Sequence, residues 1–337
     1  MTDAQAVAAA LATVVAARIG RPGEIRNLTR LTGGATKITW SFDARVGDGT
    51  EALILQQSSP RAAPPGDPMA ALPRVSGADE ATLLGASAKA GVPLAPVRAT
   101  LTPADGLGVG LITDRIEGET LGARIVRDER FAAIRPQLAG QCGRILAALH
   151  RIDVAAAPFL AEHAPAAQVR LYREVYESFD HPRPAMEIAL RWVAAHVPVA
   201  APTAVVHGDF RNGNFVVGGD GIRAVLDWEI AHLGDPMEDL GWLCLKTWRF
   251  GGAAPVGGFG TRDALFAAYE GAGGGRVDAG RVRFWEAFGG VKWSIMCMMK
   301  GESARRGGRH DLEQLAIGRR AEEPLWDFLD LVHGTRD

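Results

Sequence analysis

The stretch that decides the fold spans residues 205–239 and reads VVHGDFRNGNFVVGGDGIRAVLDWEIAHLGDPMED. Two short runs rich in β-branched residues, at 205–206 and 215–217, bracket a loop that contains Asp209 and Asn214. Glycines at 218–221 then mark a turn, and the apolar run 224–226 ends in Asp227. The pattern predicts short strands joined by tight loops, with two carboxylates and a carboxamide at the strand ends.

These three side chains match the needs of phosphoryl transfer. In that chemistry one Asp orients a hydroxyl nucleophile, while an Asn oxygen and a second Asp hold Mg²⁺ against the phosphates. The spacing from Asp209 to Asn214 equals that of the catalytic loop H-R-D-x-x-x-x-N of protein kinases. The stretch therefore predicts a kinase active site with Asp209 as the base and Asn214 and Asp227 as the metal ligands.

The size and composition of the chain limit the other possibilities. Its 337 residues favour a two-lobed domain or two domains, and 47% hydrophobic residues are enough for a substantial core. The net charge of -2 favours neither nucleic acid nor membrane as a partner. We expect the partners to be ATP and a small-molecule alcohol, and leave the oligomeric state open.

Cysteine usage and the N-terminus bear on the compartment. Cys142, Cys244 and Cys297 are far apart and form no C-x-x-C pair, which argues against a disulfide framework or a zinc site. Asp3 is the only charged residue before the alanine-rich run 4–17, and the first positively charged residue, Arg18, follows that run. A secretion signal has the opposite order, with positive charges before the apolar run. The sequence therefore predicts a cytoplasmic protein.

Hydrophobic periodicity divides the chain into two parts. The first part has strands and two helices, and the second is mostly helical. We predict strands at 28–31, 38–42, 52–55, 92–101 and 109–113, and helices at 3–19, 78–90, 131–151, 166–179, 185–196, 261–270, 278–301 and 311–332, with a further helix beginning at 239. The change at 113–118 predicts a nucleotide-binding lobe at 1–116 and a catalytic and substrate lobe at 117–337.

Five motifs together resemble those of the aminoglycoside-phosphotransferase-like kinase family, which shares its core with choline kinases and, remotely, with protein kinases. They are Gly33-Gly34, the loop 207–214, Asp227-Trp228-Glu229, Gly234-Asp235-Pro236 and Trp248-Arg249-Phe250. Within the family, the chain is most similar to the branch that precedes acyl-CoA dehydrogenase domains in fusion proteins. The resemblance implies an α+β, two-lobed protein-kinase-like fold, with a small, mostly antiparallel β lobe and a larger helical lobe.

The resemblance also implies the cofactors and the rest of the site. The donor would be ATP, with GTP as an alternative, and the metal Mg²⁺. Arg211 lies where it could neutralise charge on the transferring phosphate, and a surface arginine without a role is the competing interpretation. The remaining nucleotide contacts would come from the glycine turn, a helix glutamate and the backbone of the segment joining the lobes. These positions are Gly33, Gly34, Glu80, Asp114, Arg115 and Ile116.

One position departs from the family pattern. Members carry a Lys or Arg on the third strand, paired with the helix glutamate, whereas this strand reads Ile54-Leu55-Gln56-Gln57. A buried Glu80 without a cation would cost several kcal/mol or take up a proton. Three outcomes stay open: Lys37 reaches inward and replaces the missing cation, Gln56 suffices, or the protein binds nucleotide without transferring phosphate.

The acceptor is the least determined part. Eight Lys or Arg residues between 276 and 310 suggest an anionic acceptor such as a hydroxyacyl-CoA, if some of them face the cleft; a solvated basic helix face explains them equally well. Our hypothesis is an ATP-dependent kinase that phosphorylates a hydroxyl group. The alternatives are a catalytically silent nucleotide-binding scaffold and, less favoured, an aminoglycoside phosphotransferase.

Overall fold

The structure, a computed structural model, describes residues 3–20, 24–31, 37–58, 72, 74–199, 202–306 and 312–334. The predicted glycine turn, Gly33-Gly34, lies outside the described residues, as does most of the proline-rich segment after the third strand. Within the described parts, no helix is long and apolar enough to cross a membrane.

The N-terminal part is built on one five-stranded antiparallel sheet with the order β1-β2-β3-β5-β4. Its elements are α1 (Asp3–Arg18), β1 (Ile25–Leu31), β2 (Lys37–Val46), β3 (Gly49–Ser58), α2 (Gly77–Lys89), β4 (Val97–Leu101) and β5 (Gly110–Asp114). Helix α1 covers one face through apolar side chains that meet Trp40, Phe42, Leu53 and Leu55. The predicted α+β class with a mostly antiparallel sheet is confirmed.

Alternation along the strands decides which polar side chains reach the other face of the sheet. Trp40 and Phe42 of β2 point towards α1, so Lys37 and Thr39 point away from it. Thr39 lies opposite Gln56 of β3 and therefore shares its face. Lys37 and Gln56 are thus brought to the face of the sheet opposite α1, on two neighbouring strands.

The C-terminal part is a helical assembly with two small two-stranded sheets. It contains α3 (Gly122–Arg127), α4 (Arg135–His150), α5 (Pro165–Glu177), α6 (Pro184–Ala195), β6 (Ala204–Val206), β7 (Phe215–Gly218), β8 (Gly221–Val225), β9 (His232–Gly234), α7 (Met237–Cys244), α8 (Arg262–Gly271), α9 (Ala279–Arg306), α10 (Leu312–Gly318) and α11 (Glu322–His333). Strand β6 pairs with β9, and β7 with β8. One large core, with α4 and α9 at its centre, supports both pairs.

Two helix predictions in this part need correction. The helix expected over 311–332 is two helices, because α10 ends at Gly318, where it crosses α9 against Gly301 with so little space that a Cβ at Gly318 would lie 2.6 Å from the Gly301 Cα. The helix expected from 239 begins at Met237 and ends at Cys244, followed by a 3-10 turn at Lys246–Arg249.

Candidate active site

One buried carboxylate, that of Asp239, fixes the backbone of the loop between β6 and β7. Asp239 of α7 accepts hydrogen bonds from the backbone N–H groups of His207 and Gly208, both at 2.9 Å, and contacts the Nε2 atom of His150 at 3.1 Å. Gly208 has φ +79, and a Cβ there would lie 2.7 Å from the carbonyl oxygen of Ile230. The loop therefore needs glycine at 208 and has a fixed shape.

His207 shapes this loop from within. Its Nδ1 accepts the N–H of Asp209 at 3.1 Å, so its Nε2 carries the proton and donates to the carbonyl of Leu226 at 3.0 Å. Burial lowers the pKa of His207, which keeps the ring neutral. His207 thus links the loop to the strand end before Asp227 and has no nitrogen left for proton transfer.

Asp209 receives three hydrogen bonds that fix its carboxylate. The indole N–H of Trp242 and the Nε of Arg211 both donate to Oδ1, at 2.8 and 3.0 Å, and Asn214 Nδ2 donates to Oδ2 at 2.7 Å. The side chain is 21% exposed. Oδ1 is therefore fully used, while Oδ2, with one donor, keeps a lone pair for an incoming hydroxyl.

The two predicted metal ligands are close to Asp209 and have unused oxygens. The amide nitrogen of Asn214 is engaged with Asp209 Oδ2 and with its carbonyl oxygen, at 2.7 and 3.0 Å. The Asn214 Oδ1 and the Asp227 carboxylate accept no hydrogen bond within the described part of the chain. The Asp227 backbone is in the left-handed region, with φ 60, so its carboxylate sits at a tight turn after β8.

The electrostatics of Asp227 also suit a cation. Burial, reinforced by Glu229 and Asp209, raises its pKa to about 6, and the positive charges of Lys37 and Arg211 offset only part of this. Among the described residues, no three His, Cys, Asp or Glu side chains converge as a resident metal would require. One carboxylate and one amide oxygen instead fit Mg²⁺, which binds few protein groups and takes the rest of its shell from phosphates and water.

The question of the missing strand cation has a geometric answer. Lys37 Nζ lies 2.6 Å from Glu80 Oε1, and the two side chains are only 9% and 6% exposed. Glu80 belongs to α2, where the family's glutamate is expected. Lys37 thus forms from β2 the ion pair that the family forms from β3, and Gln56 lies beside it on the same face.

Two of the three residues of the connecting segment engage their side chains in ion pairs within the small lobe. Asp114 pairs with Arg98 at 2.8 Å, and Arg115 pairs with Asp43 at 2.8 Å. The N–H groups of Asp114 and Arg115 donate to the carbonyls of Pro96 and Ala52. The N–H of Ile116 has no partner in the described ranges, so adenine recognition through this backbone stays a prediction.

The structure adds two residues that the sequence reasoning did not place in the site. The first is Trp242, whose indole N–H donates to Asp209; its ring is 2% exposed and lies 5.5 Å from Lys292 Nζ. Lys300 was one of eight basic residues in one segment. It is half-buried on α9, and the charges of Glu229 and Asp209 act on it. In the sequence, only the spacing of one helical turn between Asp239 and Trp242 indicated that Trp242 could face the catalytic loop.

The fold and the site define a phosphotransferase of the kinase-like type. The model of the phosphotransferase enzyme family, APH, matches residues 36–285. The chain belongs to this family.

Curated relatives share parts of the chain. A 110-residue segment, 30% of this chain, is 33% identical to acyl-CoA dehydrogenase family member 10 of Mus musculus and covers 10% of that protein. A 145-residue segment, 40% of this chain, is 29% identical to homoserine kinase of Methylocella silvestris and covers 44% of it. The aligned segments thus span less than half of either relative.

Solved structures show the same fold at low sequence identity. A choline/ethanolamine kinase family protein from Mesorhizobium loti has a TM-score of 0.62 and 23% identity, over 91% of this chain and 88% of that chain. A spectinomycin phosphotransferase in complex with ADP and spectinomycin has a TM-score of 0.61 and 12% identity, over 94% and 97%. The predicted family and the two-lobed kinase-like fold are confirmed.

Proposed function

We propose that this protein is an ATP-dependent, Mg²⁺-requiring kinase that transfers the γ-phosphate to the hydroxyl of a small molecule. The observation that carries the proposal is the state of the Asp209 carboxylate. Three donors orient it, one oxygen keeps an open lone pair, and two oxygen ligands for a metal lie next to it. A purely structural role would explain the three hydrogen bonds to Asp209 but not the unengaged oxygens of Asn214 and Asp227 close to its open lone pair.

The chemistry follows from these positions. Asp209 Oδ2 accepts the proton of the substrate hydroxyl as the new oxygen–phosphorus bond forms, and the bond from the γ-phosphorus to the bridging oxygen breaks, so that ADP leaves. Asn214 Oδ1 and Asp227 would hold Mg²⁺, which supplies positive charge beside the phosphates. Lys37, held by Glu80, supplies a second positive charge from the small lobe.

The Lys37–Glu80 contact also weakens the alternative hypothesis, in which the protein binds nucleotide without transferring phosphate. That hypothesis was motivated by the absence of a cation at Gln56, and the Lys37–Glu80 pair provides one on the adjacent strand. The choice between ATP and GTP would depend on backbone contacts to the base near Ile116. The identity of the side chains in that segment does not indicate which of the two bases is bound.

For the acceptor we favour an anionic alcohol, of which a hydroxyacyl-CoA is one example. Arg211 and Lys300 bring positive charge to the helical side of the site, which an anionic acceptor complements better than a polycationic aminoglycoside does. The similarity to an acyl-CoA dehydrogenase family member and to a homoserine kinase is compatible with a carboxylate- or thioester-bearing alcohol.

The test is a transfer assay with labelled ATP, Mg²⁺ and a panel of hydroxyacyl-CoAs, hydroxy acids, amino alcohols and sugars. For Asp209→Ala we expect transfer to fall by at least about 10³-fold, since general-base catalysis and nucleophile orientation are both lost. The variant should bind Mg·ATP and melt close to the wild type. Undiminished transfer in this variant, or ATP binding by the wild type without transfer to any acceptor, would overturn the proposal.

A further inference from the structure

Among the described side chains of the basic segment 276–310, Lys300 stands out because it is half-buried and makes no hydrogen bond or ion pair. Five of its basic residues are accounted for: Arg276 is exposed, and Arg281, Arg283, Lys292 and Arg305 bind Asp235, the Leu331 carbonyl, Glu238 and Glu302. The side chain of Arg306 and all of Arg309 lie outside the described part. Lys300 remains, half-buried, and its Nζ has no hydrogen bond or ion pair to any described residue.

The position of Lys300 on α9 places it over the catalytic loop. Trp293, Met296 and Lys300 follow the spacing i, i+3, i+7 and so share one face of the helix. The Trp293 ring lies 4.9 Å from that of Trp248, and Met296 packs on the same aromatic cluster. Trp248 in turn carries the Arg211 guanidinium at 4.3 Å. This face of α9 therefore adjoins the catalytic loop.

The charges around Lys300 agree with this placement. Burial lowers its pKa, while the negative charges of Glu229 and Asp209 act against that effect. The Glu229 carboxylate has a partner of its own, Arg74, at 3.7 Å. Asp209 Oδ1 is occupied by Arg211 and Trp242, as described above. Neither carboxylate makes a hydrogen bond or a close ion pair with Lys300, although both contribute negative charge around it.

We infer that Lys300 binds an anionic group, a carboxylate or a phosphate, of the acceptor substrate. This inference rests on the proposed kinase function. A half-buried ammonium that makes no direct ion pair costs desolvation energy that a bound anion offsets. Because Lys300 approaches Asp209 from the helical lobe, and the Lys37–Glu80 pair approaches from the sheet, the anion is assigned to the acceptor and not to the nucleotide.

The test compares matched acceptors that differ only in charge. The wild type and Lys300→Met are assayed with labelled ATP and Mg²⁺ on ω-hydroxy carboxylates of three to six carbons and on their neutral amides. Glycerol 3-phosphate and glycerol form the phosphate pair. We expect the wild type to prefer the anionic member of at least one pair. In the variant, kcat/KM for that acceptor should fall roughly 10- to 100-fold, with the neutral member within about twofold.

Three controls separate this role from others. Lys246→Met removes a 55%-exposed lysine, paired with Asp327 at 2.9 Å, and should leave the charge preference unchanged. Lys300→Arg keeps the positive charge and should retain most of the preference for the anionic acceptor. It therefore tests the role of the charge even if Lys300→Met folds poorly. The KM for ATP should stay within about twofold in Lys300→Met.

The outcomes are distinguishable. An unchanged preference in Lys300→Met, a wild type without any preference for anions, or an equal loss of ATP affinity would overturn the inference and leave the kinase function standing. If the wild type hydrolyses ATP but transfers to none of these acceptors, calorimetry with AMP-PNP and Mg²⁺ present decides. Binding of an anionic member that Lys300→Met abolishes supports the inference, and no binding overturns it. If the wild type neither binds nor cleaves ATP, the proposed kinase function is contradicted, and the inference about Lys300 falls with it.

Discussion

The two sides of the candidate site are specified by the sequence in different ways. On the catalytic side, Asp209 and Asp227 are 18 positions apart with Asn214 between them, and β6, β7 and β8 bring the three together locally. On the nucleotide side, Lys37 and Glu80 are 43 positions apart and meet only because the sheet and α2 pack together. The cation that pairs with Glu80 can come from either of two neighbouring strands, because side chains of both strands reach the same face of the sheet. The catalytic residues depend instead on a fixed spacing within one loop.

The largest expected effect tests whether Asp227 belongs to the catalytic side as a metal ligand. In Asp227→Asn we expect Mg²⁺-dependent transfer to fall by at least about 10³-fold, since the proposed metal site would lose its carboxylate ligand. Steady-state assays over a range of Mg²⁺ concentrations measure this. Asp220→Asn, at an exposed turn carboxylate of the neighbouring hairpin, should keep wild-type transfer. Equal transfer by Asp227→Asn and the wild type would contradict the assignment.

The same variant should be more stable than the wild type in the absence of metal. The pKa of Asp227 is raised from 3.8 to about 6, so its ionisation costs folding free energy as the pH rises from about 4 through 6. At pH 8, Asp227→Asn should therefore raise the free energy of unfolding by about 2–3 kcal/mol. Urea unfolding at pH 8 and pH 4 measures this gain, which should nearly vanish at pH 4. A loss of stability at pH 8 would contradict the explanation.

A smaller effect is expected at Trp242, which orients the base from outside the loop. Trp242→Phe keeps the ring against Lys292 and removes the N–H that donates to Asp209 Oδ1. We expect kcat to fall roughly 10- to 100-fold with little change in the KM for ATP, because a charge-assisted hydrogen bond that fixes the base is lost.

The matched control for that change is Trp326→Phe, since Trp326 is 71% exposed on α11 and lies outside the site. Steady-state kinetics and melting curves of both variants make the comparison. A Trp242→Phe protein that melts early and loses kcat and ATP affinity together would show that Trp242 serves the fold and not the orientation of Asp209.

The sequence allowed the fold class and the catalytic side to be predicted, because both depend on local patterns. Strand–turn–strand signals position Asp209, Asn214 and Asp227 with no knowledge of the tertiary structure. The Lys37–Glu80 pair could be raised only as one of three outcomes, since no local signal tells which side of β2 faces the cleft until the register with β3 is known. Trp242 and Lys300 depend on how α7 and α9 pack.

The measurement that tests the account most directly is the affinity for Mg·ATP of the wild type, of Lys37→Met, and of Lys37→Met combined with Gln56→Lys. The double variant returns the cation to the strand position used by the family and gives Glu80 a partner again. We predict that Lys37→Met weakens binding at least about tenfold and that adding Gln56→Lys restores most of it. Wild-type affinity in folded Lys37→Met would contradict the claim that Lys37 completes the site from the neighbouring strand.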